Sequence, residues 1–300
     1  MSVTSVQGRM MVPADTAERA PPPLLLSKRI KFLDAVQTNE YPHTVAMERG
    51  LVHQHFERVD STQIQARQLV NLLPDDTWAI LSAEEQTEGQ GMHGRRWLSP
   101  PHVNMYATFM FLLPRDNQVS RISQITAIAV ARTLQEFGFQ PQIKWPNDVL
   151  LNRKKVCGVL CELMTQDDPC RYVCVAGIGL NINMEKGLCE SLDQPVTSMF
   201  VESGKKFSTR DVTSRVFRHM QECIGLFCHP GNDFSSLYSE FDGMLAFKGE
   251  TVLIEPEAEP SSPVLGIFLG ITRQGYLQLE VAGAAHTLVD GRLKPIAAAQ

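Results

Sequence analysis

Apolar and polar residues alternate over positions 52–59, the period of a half-buried strand. Asp60-Ser61 then offers a helix cap, and the spacing changes to helical over 64–73 until Pro74 stops it. Trp78-Ala79-Ile80-Leu81 and the run 105–113 read as buried strands. Over 120–137 the residues Ile122, Ile125, Ile128, Ala129 and Leu134 share one helical face, and Gly138 follows as a stop. Gln142-Ile143-Lys144-Trp145 predicts a strand closed by Pro146-Asn147-Asp148. Residues 149–163 predict a hairpin with Asn152-Arg153-Lys154 at its turn. A strand at 172–176 leads into the run 177–183, and helices follow at 197–200, 209–227 (capped by Ser208) and 234–245. So many strands with few helices between them predict an α+β fold: a mixed, mostly antiparallel sheet with helices on one face.

From Phe247 the pattern changes. Short apolar runs at 251–254, 266–271 and 276–281 are separated by turn residues, including Arg273-Gln274-Gly275, which is the mark of a small β-barrel. Before residue 43 no sustained period appears, and Pro21-Pro22-Pro23 breaks any helix. A poorly ordered extension is expected there, with a short helix at 28–36. The partition is therefore 1–45, 46–245 and 246–300.

Composition narrows the class. At 300 residues the chain holds more than one domain. A net charge of -5 gives no basic footprint for nucleic acid, and no apolar run reaches the ~20 residues of a membrane helix. Nucleic-acid and membrane partners are not expected. The 7 cysteines sit mostly in apolar runs, and Met1 to Ala20 shows no signal-peptide core, so a reducing cytoplasmic setting is predicted. Arg9 and Arg19 keep a mitochondrial presequence open, with Asp15 and Glu18 against it. Cys157-x3-Cys161 and Cys170-x3-Cys174 lack the usual spacing of zinc knuckles and read as small buried thiols.

The chemistry concentrates between the first two buried strands. Gln86-Thr87-Glu88-Gly89-Gln90-Gly91-Met92-His93-Gly94-Arg95-Arg96-Trp97 joins three glycines, two arginines and a tryptophan. Glycine lets backbone N–H groups turn toward a ligand, and successive N–H groups form an anion-binding nest. By itself such a stretch is also what a long surface loop looks like. Three further stretches accompany it: Asp60-Ser61-Thr62-Gln63; Lys144-Trp145-Pro146-Asn147-Asp148 with Lys155-Val156-Cys157-Gly158; and Gly177-Ile178-Gly179-Leu180-Asn181-Ile182-Asn183. In order and spacing the set resembles the biotin protein ligase family (holocarboxylase synthetase in eukaryotes), from about Phe56 to Arg292.

The resemblance implies a class II synthetase-like biotin/lipoate ligase fold with an SH3-like C-terminal barrel, and a reaction in two steps. Biotin and ATP, with Mg²⁺ and no protein-only metal site, give biotinyl-5′-AMP. A lysine of a biotin carboxyl carrier domain of a carboxylase then takes the biotin. Oligomeric state, monomer or homodimer, stays open. Ser61, Thr62, Gln63, Gln86, Gly89, Gly91, Lys155 and Gly158 are implied around biotin. Gly91, Met92, His93, Gly94, Arg95, Trp97, Asn147, Asn181 and Arg292 are implied around the nucleotide. Lys155, Lys144, Arg95 and Asp148 would carry the chemistry.

Structural readings stand beside these roles. Ser61 and Thr62 also suit a helix cap, Gln86 a buried amide and Trp97 a core ring. Asp148 either serves the incoming lysine or caps its turn. The loop departs from the usual GRGRxGRxW: Gln90 and Met92 stand where arginines do. Substitution by His93, Arg95 or Arg96, a leakier intermediate, and lost activity are the three consequences open. A lipoate-type ligase and a non-catalytic biotin-binding homologue are the corresponding rivals. The glycine-rich arginine motif of the lipoate ligases is missing from this sequence.

Overall fold

The computed structural model describes residues 23–48, 50–115, 121–166, 168–229, 234–255 and 262–296. Helix α1 (Pro23–Gln37) precedes the strands β1 (His43–Glu48) and β2 (Leu51–Val59). Then come α2 (Thr62–Gln68), β3 (Trp78–Gln86), β4 (Met105–Pro114) and α3 (Ile122–Glu136). A hairpin series follows: β5 (Gln142–Lys144), β6 (Asp148–Leu151), β7 (Lys154–Thr165) and β8 (Arg171–Leu180). Helices α4 (Lys186–Glu190), α5 (Met199–Ser203), α6 (Thr209–Cys228) and α7 (Ser235–Gly243) close this part.

The eight strands form one sheet in the order β1-β2-β3-β4-β8-β7-β6-β5. Only β2 and β3 pair parallel, because α2 carries the chain back over the sheet between them. The mixed, mostly antiparallel expectation therefore holds. The expectation of helices on one face does not. Helices α3, α6 and α7 bury the larger core on one side, with Phe109, Ile128, Val216 and Phe241. On the other side α1 and α2 cover a second core with Phe32, Phe56, Leu73, Leu81 and Val175. Two cores arise because the central strands are apolar on both faces, as the continuous run in β4 shows.

Helix α6 follows the sequence closely. Val212, Val216, Met220, Cys223 and Phe227 recur at helical spacing and are buried, while Arg210, Arg215 and Arg218 face out. Ser208 caps it by accepting the N–H of Asp211 at 3.3 Å, worth about 1 kcal/mol. The 149–163 hairpin is also as expected. Its turn places Asn152 and Arg153 in left-handed backbone (φ 48° and 63°), which suits a tight two-residue reversal.

Other elements differ. Helix α1 contains the short helix expected at 28–36 but begins earlier, at Pro23, and its Phe32 and Val36 are buried. Strand β1, on the sheet edge, is mostly exposed and so carries no apolar period. Helix α4 is too short to show one. The expected helix at 197–200 begins at Met199, with Ser198 capping it through the N–H of Val201 at 3.0 Å. Cys170 is exposed in the turn before β8 rather than in a strand, whereas Cys157 and Cys174 are buried in strands.

The C-terminal part is a five-stranded antiparallel sheet: β9 (Thr251–Glu255), β10 (Val264–Ile271), β11 (Leu277–Val281), β12 (Ala284–Leu288) and β13 (Arg292–Pro295), in the order β12-β11-β10-β9-β13. Strands β12 and β13 escape the sequence because β12 is exposed along most of its length and β13 is four residues long. No helix among the described residues is long and apolar enough to cross a membrane.

Along β2 and β3 a hydrogen-bonded chain crosses the parallel pair. His53 Nε2 and His55 Nδ1 meet the Ser82 hydroxyl at 2.7 and 2.8 Å, and His55 Nε2 reaches Glu84 at 3.2 Å. Burial, then His55 and Arg210, push the His53 imidazole down to about 4. An imidazole at its ordinary value in the unfolded chain binds protons that the folded one refuses. Its stabilising effect is therefore full above the ordinary histidine value and is lost as pH falls through the window down to about 4. Between pH 7 and 5 wild type should lose on the order of 1–2 kcal/mol more folding stability than His53→Gln in denaturant titrations. Equal losses would remove His53 as the acid-sensitive group.

Candidate functional site

The site begins where β2 hands the chain to α2. Ser61 has extended backbone and its Oγ accepts the N–H of Gln63 at 3.3 Å, so it is a helix cap in fact. The parallel register sets Val59 beside Gln86, which brings the end of β3 against that cap. Thr62 N–H donates to Gln86 Oε1 at 2.9 Å, and Gln86 Nε2 donates to Ser99 at 2.9 Å. The Thr62 and Thr108 hydroxyls share a hydrogen bond of 2.9 Å, and Thr108 donates on to Gln63 Oε1 at 3.2 Å. Gln63 Nε2 donates to Glu162 at 2.8 Å, and Glu162 in turn takes Arg67 through two bonds of 2.8 Å. A line of polar groups thus crosses the sheet with its donors and acceptors already ordered. Burial alone would raise the Glu162 carboxyl, but Arg67 and Gln63 outweigh it and hold the group below its usual range.

The floor of the cleft is bare backbone. Gly158 on β7 lies directly opposite Gly179 on β8, and Gly177 is two residues along on the same face. A Cβ on Gly179 would come within 2.3 Å of the Trp97 ring, and one on Gly177 within 2.5 Å of Gln63. The 177–180 run thus continues the strand expected at 172–176. Its glycines are there for close approach rather than for a bend.

At the mouth stands a charged trio. Strand register pairs Lys144 with Asp148 and Asp148 with Gly158. Asp148 Oδ1 lies 2.6 Å from Lys155 Nζ and Oδ2 lies 3.3 Å from Lys144 Nζ. Their side chains are only 15–20% exposed. Burial opposes the Asp148 charge, yet the two ammonium groups outweigh it and keep the carboxyl below its ordinary value. For Lys144 burial wins over Asp148, helped by the charges of Lys155 and Arg292, and its pKa is lowered. Two cations against one anion leave net positive charge facing the cleft. The Trp145–Pro146 peptide between them is cis.

The loop after β3 covers this mouth. Trp97 N–H donates to Gly89 O at 2.8 Å and Gly91 N–H to Arg95 O at 2.7 Å, which closes the loop on itself. His93 and Gly94 take left-handed backbone inside it (φ 56° and 69°). Trp97 lies on Gly158 and Gly179, with Lys155 Nζ 5.3 Å from its ring centroid. Its indole Nε1 is buried with no hydrogen-bond partner. Arg95 Nε donates to Met92 O at 3.2 Å and Arg96 to Thr87 O at 2.8 Å, both side chains remaining exposed. The Met92 sulfur contacts Asn147 Nδ2.

Most of the residues expected from sequence therefore line one cleft. Ser61, Thr62, Gln63 and Gln86 stand at one end. Lys144, Asn147, Asp148 and Lys155 form the mouth, with Gly158 on the floor. Gly91, Met92, His93, Arg95 and Trp97 come from the loop, and Arg292 from the C-terminal sheet.

Three expected residues lie elsewhere. Gly89 is packed under the loop, where a Cβ would meet Trp97 O at 2.5 Å, and it lines a neighbouring hollow. Gly94 lines that same hollow. Asn181 is 3% exposed and donates to Thr197 O at 3.1 Å, tying the end of β8 to the next segment. Sequence reading missed Thr108, Tyr106 and Gln194, which also line the cleft. Thr108 was detectable as the one threonine inside an otherwise largely apolar strand; Gln194, in an exposed loop, gave no signal. No cluster of three or more His, Cys, Asp or Glu among the described residues could hold a metal ion.

Comparison with known proteins places this arrangement. Residues 55–181 match the family model described as Biotin/lipoate A/B protein ligase family. The bifunctional ligase/repressor BirA of Bacillus spizizenii is 31% identical over 179 residues, 58% of this chain and 53% of that protein. The chain thus spans about half the length of the Bacillus relatives it matches. A biotin--[acetyl-CoA-carboxylase] ligase of Paracoccus denitrificans is 28% identical over 74% of this chain and 91% of its own. In fold, the chain is similar to the biotin protein ligase of Aquifex aeolicus solved with biotin and ATP (TM-score 0.69, 24% identity, 81% of this chain and 99% of that one). Motif order, sheet topology and these relatives converge on the Biotin/lipoate A/B protein ligase family, whose model residues 55–181 of this chain match.

Proposed function

We propose that the chain is an ATP-dependent biotin protein ligase, which activates biotin as biotinyl-5′-AMP and passes it to a lysine of a biotin carboxyl carrier domain. The observation that carries this reading is the Lys144–Asp148–Lys155 trio at the mouth of a cleft floored by glycine. A carboxylate and a triphosphate repel, so their reaction needs fixed positive charge at the point where they meet. Lys155 and Lys144 supply it from the strands, and Arg95 and Arg292 line the same cleft. The hydroxyl and amide groups at the Thr62 end suit a neutral ureido ring with fixed donors and acceptors. The bare floor suits an aliphatic chain lying flat on backbone. Mg²⁺ would accompany the triphosphate, whose own oxygens would hold it.

In the first step the biotin carboxylate attacks the α-phosphorus and pyrophosphate leaves. In the second, the acceptor amine attacks the acyl carbon and AMP leaves. Asp148 is committed to two lysines, so its first task is to hold them in place. A cytoplasmic location and carboxylase carrier partners belong to this proposal. Met92 is the feature that favours a second, non-catalytic reading; Arg95 beside it, exposed and anchored by one backbone bond, supports compensation.

The deciding experiment incubates the protein with ATP, Mg²⁺ and biotin, with and without a carrier domain, and follows pyrophosphate and acceptor biotinylation together. Both should appear; biotin binding without either would leave only the binding-protein reading. Lys155→Ala should lower biotin-dependent pyrophosphate release at least about a hundredfold, since one positioned charge contributes a few kcal/mol. The fold should persist, because Lys144 remains to neutralise Asp148, and circular dichroism checks this. Met92→Arg should raise the fraction of adenylate retained by the enzyme, read as less pyrophosphate released per biotin transferred. An unchanged ratio would show that the methionine costs nothing. Gly179→Val should abolish biotin binding in calorimetry, because its side chain needs space that the Trp97 ring or the ligand occupies.

A further inference from the structure

Among the contacts between the C-terminal sheet and the rest of the chain is the turn between β10 and β11. Thr272 N–H donates to Tyr276 O and Gly275 N–H to Thr272 O, both at 2.8 Å, so the turn is tight. Two of its carbonyls are turned toward the start of α3 and the turn after β5. Gly275 O accepts Trp145 Nε1 at 3.0 Å and Gln124 Nε2 at 2.7 Å, and Gln274 O accepts Arg121 Nε at 2.7 Å. Trp145 and Gln124 are 2% and 5% exposed.

Two features mark this as more than general packing. First, Gln124 Oε1 is buried without a partner. A buried, unpaired amide oxygen costs stability. It persists because turning the amide over would set two oxygens against each other at Gly275. Second, Gly275 has φ +81°, and a Cβ there would come 2.4 Å from that oxygen. The turn therefore has to be glycine to close onto Gln124.

Trp145 is the residue between Lys144 and the Pro146-Asn147-Asp148 turn. Holding its indole from above fixes the turn that sets Asp148 between the two lysines. The same C-terminal sheet delivers Gly291 and Arg292 to the cleft from the start of β13. We propose that the Gln274–Gly275 turn is a positioning element of the nucleotide-activating site, with Trp145 and Gln124 as its positioning residues. Through it the C-terminal sheet sets the geometry of the Lys144–Asp148–Lys155 trio as well as contributing Arg292. The polar groups at the Ser61–Gln86 end make no bond to this turn, so its loss separates nucleotide use from biotin binding. This rests on the biotin-activating reading above.

The test uses the full chain carrying Trp145→Phe, which keeps a buried ring and loses the N–H, and Gln124→Leu, which removes the second donor. Each should lower kcat/KM for ATP about ten- to hundredfold in biotin-dependent pyrophosphate release. Biotin affinity by calorimetry should stay within about twofold, since those contacts are unchanged. The double variant should lose less than the product of the two single losses, because both donors hold one carbonyl. Wild-type ATP kinetics in both variants would overturn the proposal. So would an equal loss of biotin affinity, which would mark general damage. Should wild type itself release no pyrophosphate with biotin, the ligase reading fails and the clamp is judged on binding of a non-hydrolysable ATP analogue. Weaker binding in both variants supports it, and unchanged binding overturns it.

Discussion

Everything in the cleft is arranged around one half-enclosed carboxylate. Asp148 keeps two ammonium groups within 2.6 and 3.3 Å, and it is what holds both lysines in one place. Removing one partner from a buried ion pair typically costs ~3–5 kcal/mol, because the remaining charge is left uncompensated. The arrangement is therefore one unit. The β5–β6–β7 hairpin series exists in this register to bring three residues, distant by 4 and 7 positions, onto one spot. The loop and the C-terminal sheet then close around it.

Much of this was readable from the chain. The α6 stripe, the Asn152-Arg153 reversal and the lysine-bearing hairpin each follow from local spacing, and the cleft residues in them were found. What stayed hidden has physical reasons. The expected strand stops at 176 because the glycines at 177 and 179 carry no period; only the register against β7 shows that the strand runs on to Leu180. Asn181 looks like a ligand group because an amide after glycines is chemically ready, yet the fold spends it on Thr197 O. Gly89 supports the loop from beneath instead of facing the cleft. Thr108 could have been picked out from its apolar neighbours, whereas Gln194 sits in a loop without pattern. Exposed strands such as β1 and β12 carry no alternation to find.

The altered glycine-rich loop is less isolated than its sequence suggests. Met92 touches Asn147, and Asn147 also donates to Val159 O, so the loop leans on the same turn that carries Asp148. Arg95 and Arg96 are each tethered by a single backbone carbonyl and left otherwise exposed. Their charge is available at the rim without being built into the floor. The contrast between a fixed pair of lysines and a movable pair of arginines divides the cleft into a rigid half and an adjustable half.

The facing glycines of β7 and β8 make that division a matter of what variation can reach. A floor made of peptide groups has no side chains to exchange, and each of its glycines lies too close to a neighbour to accept one. Substitution can therefore diversify this protein at its rim, among the residues of the loop and the turns, while the floor, on which the proposed acid would rest, stays constant. Descendants of such a chain could change how long they hold a product or which surface they dock against far more readily than they could change which acid they carry.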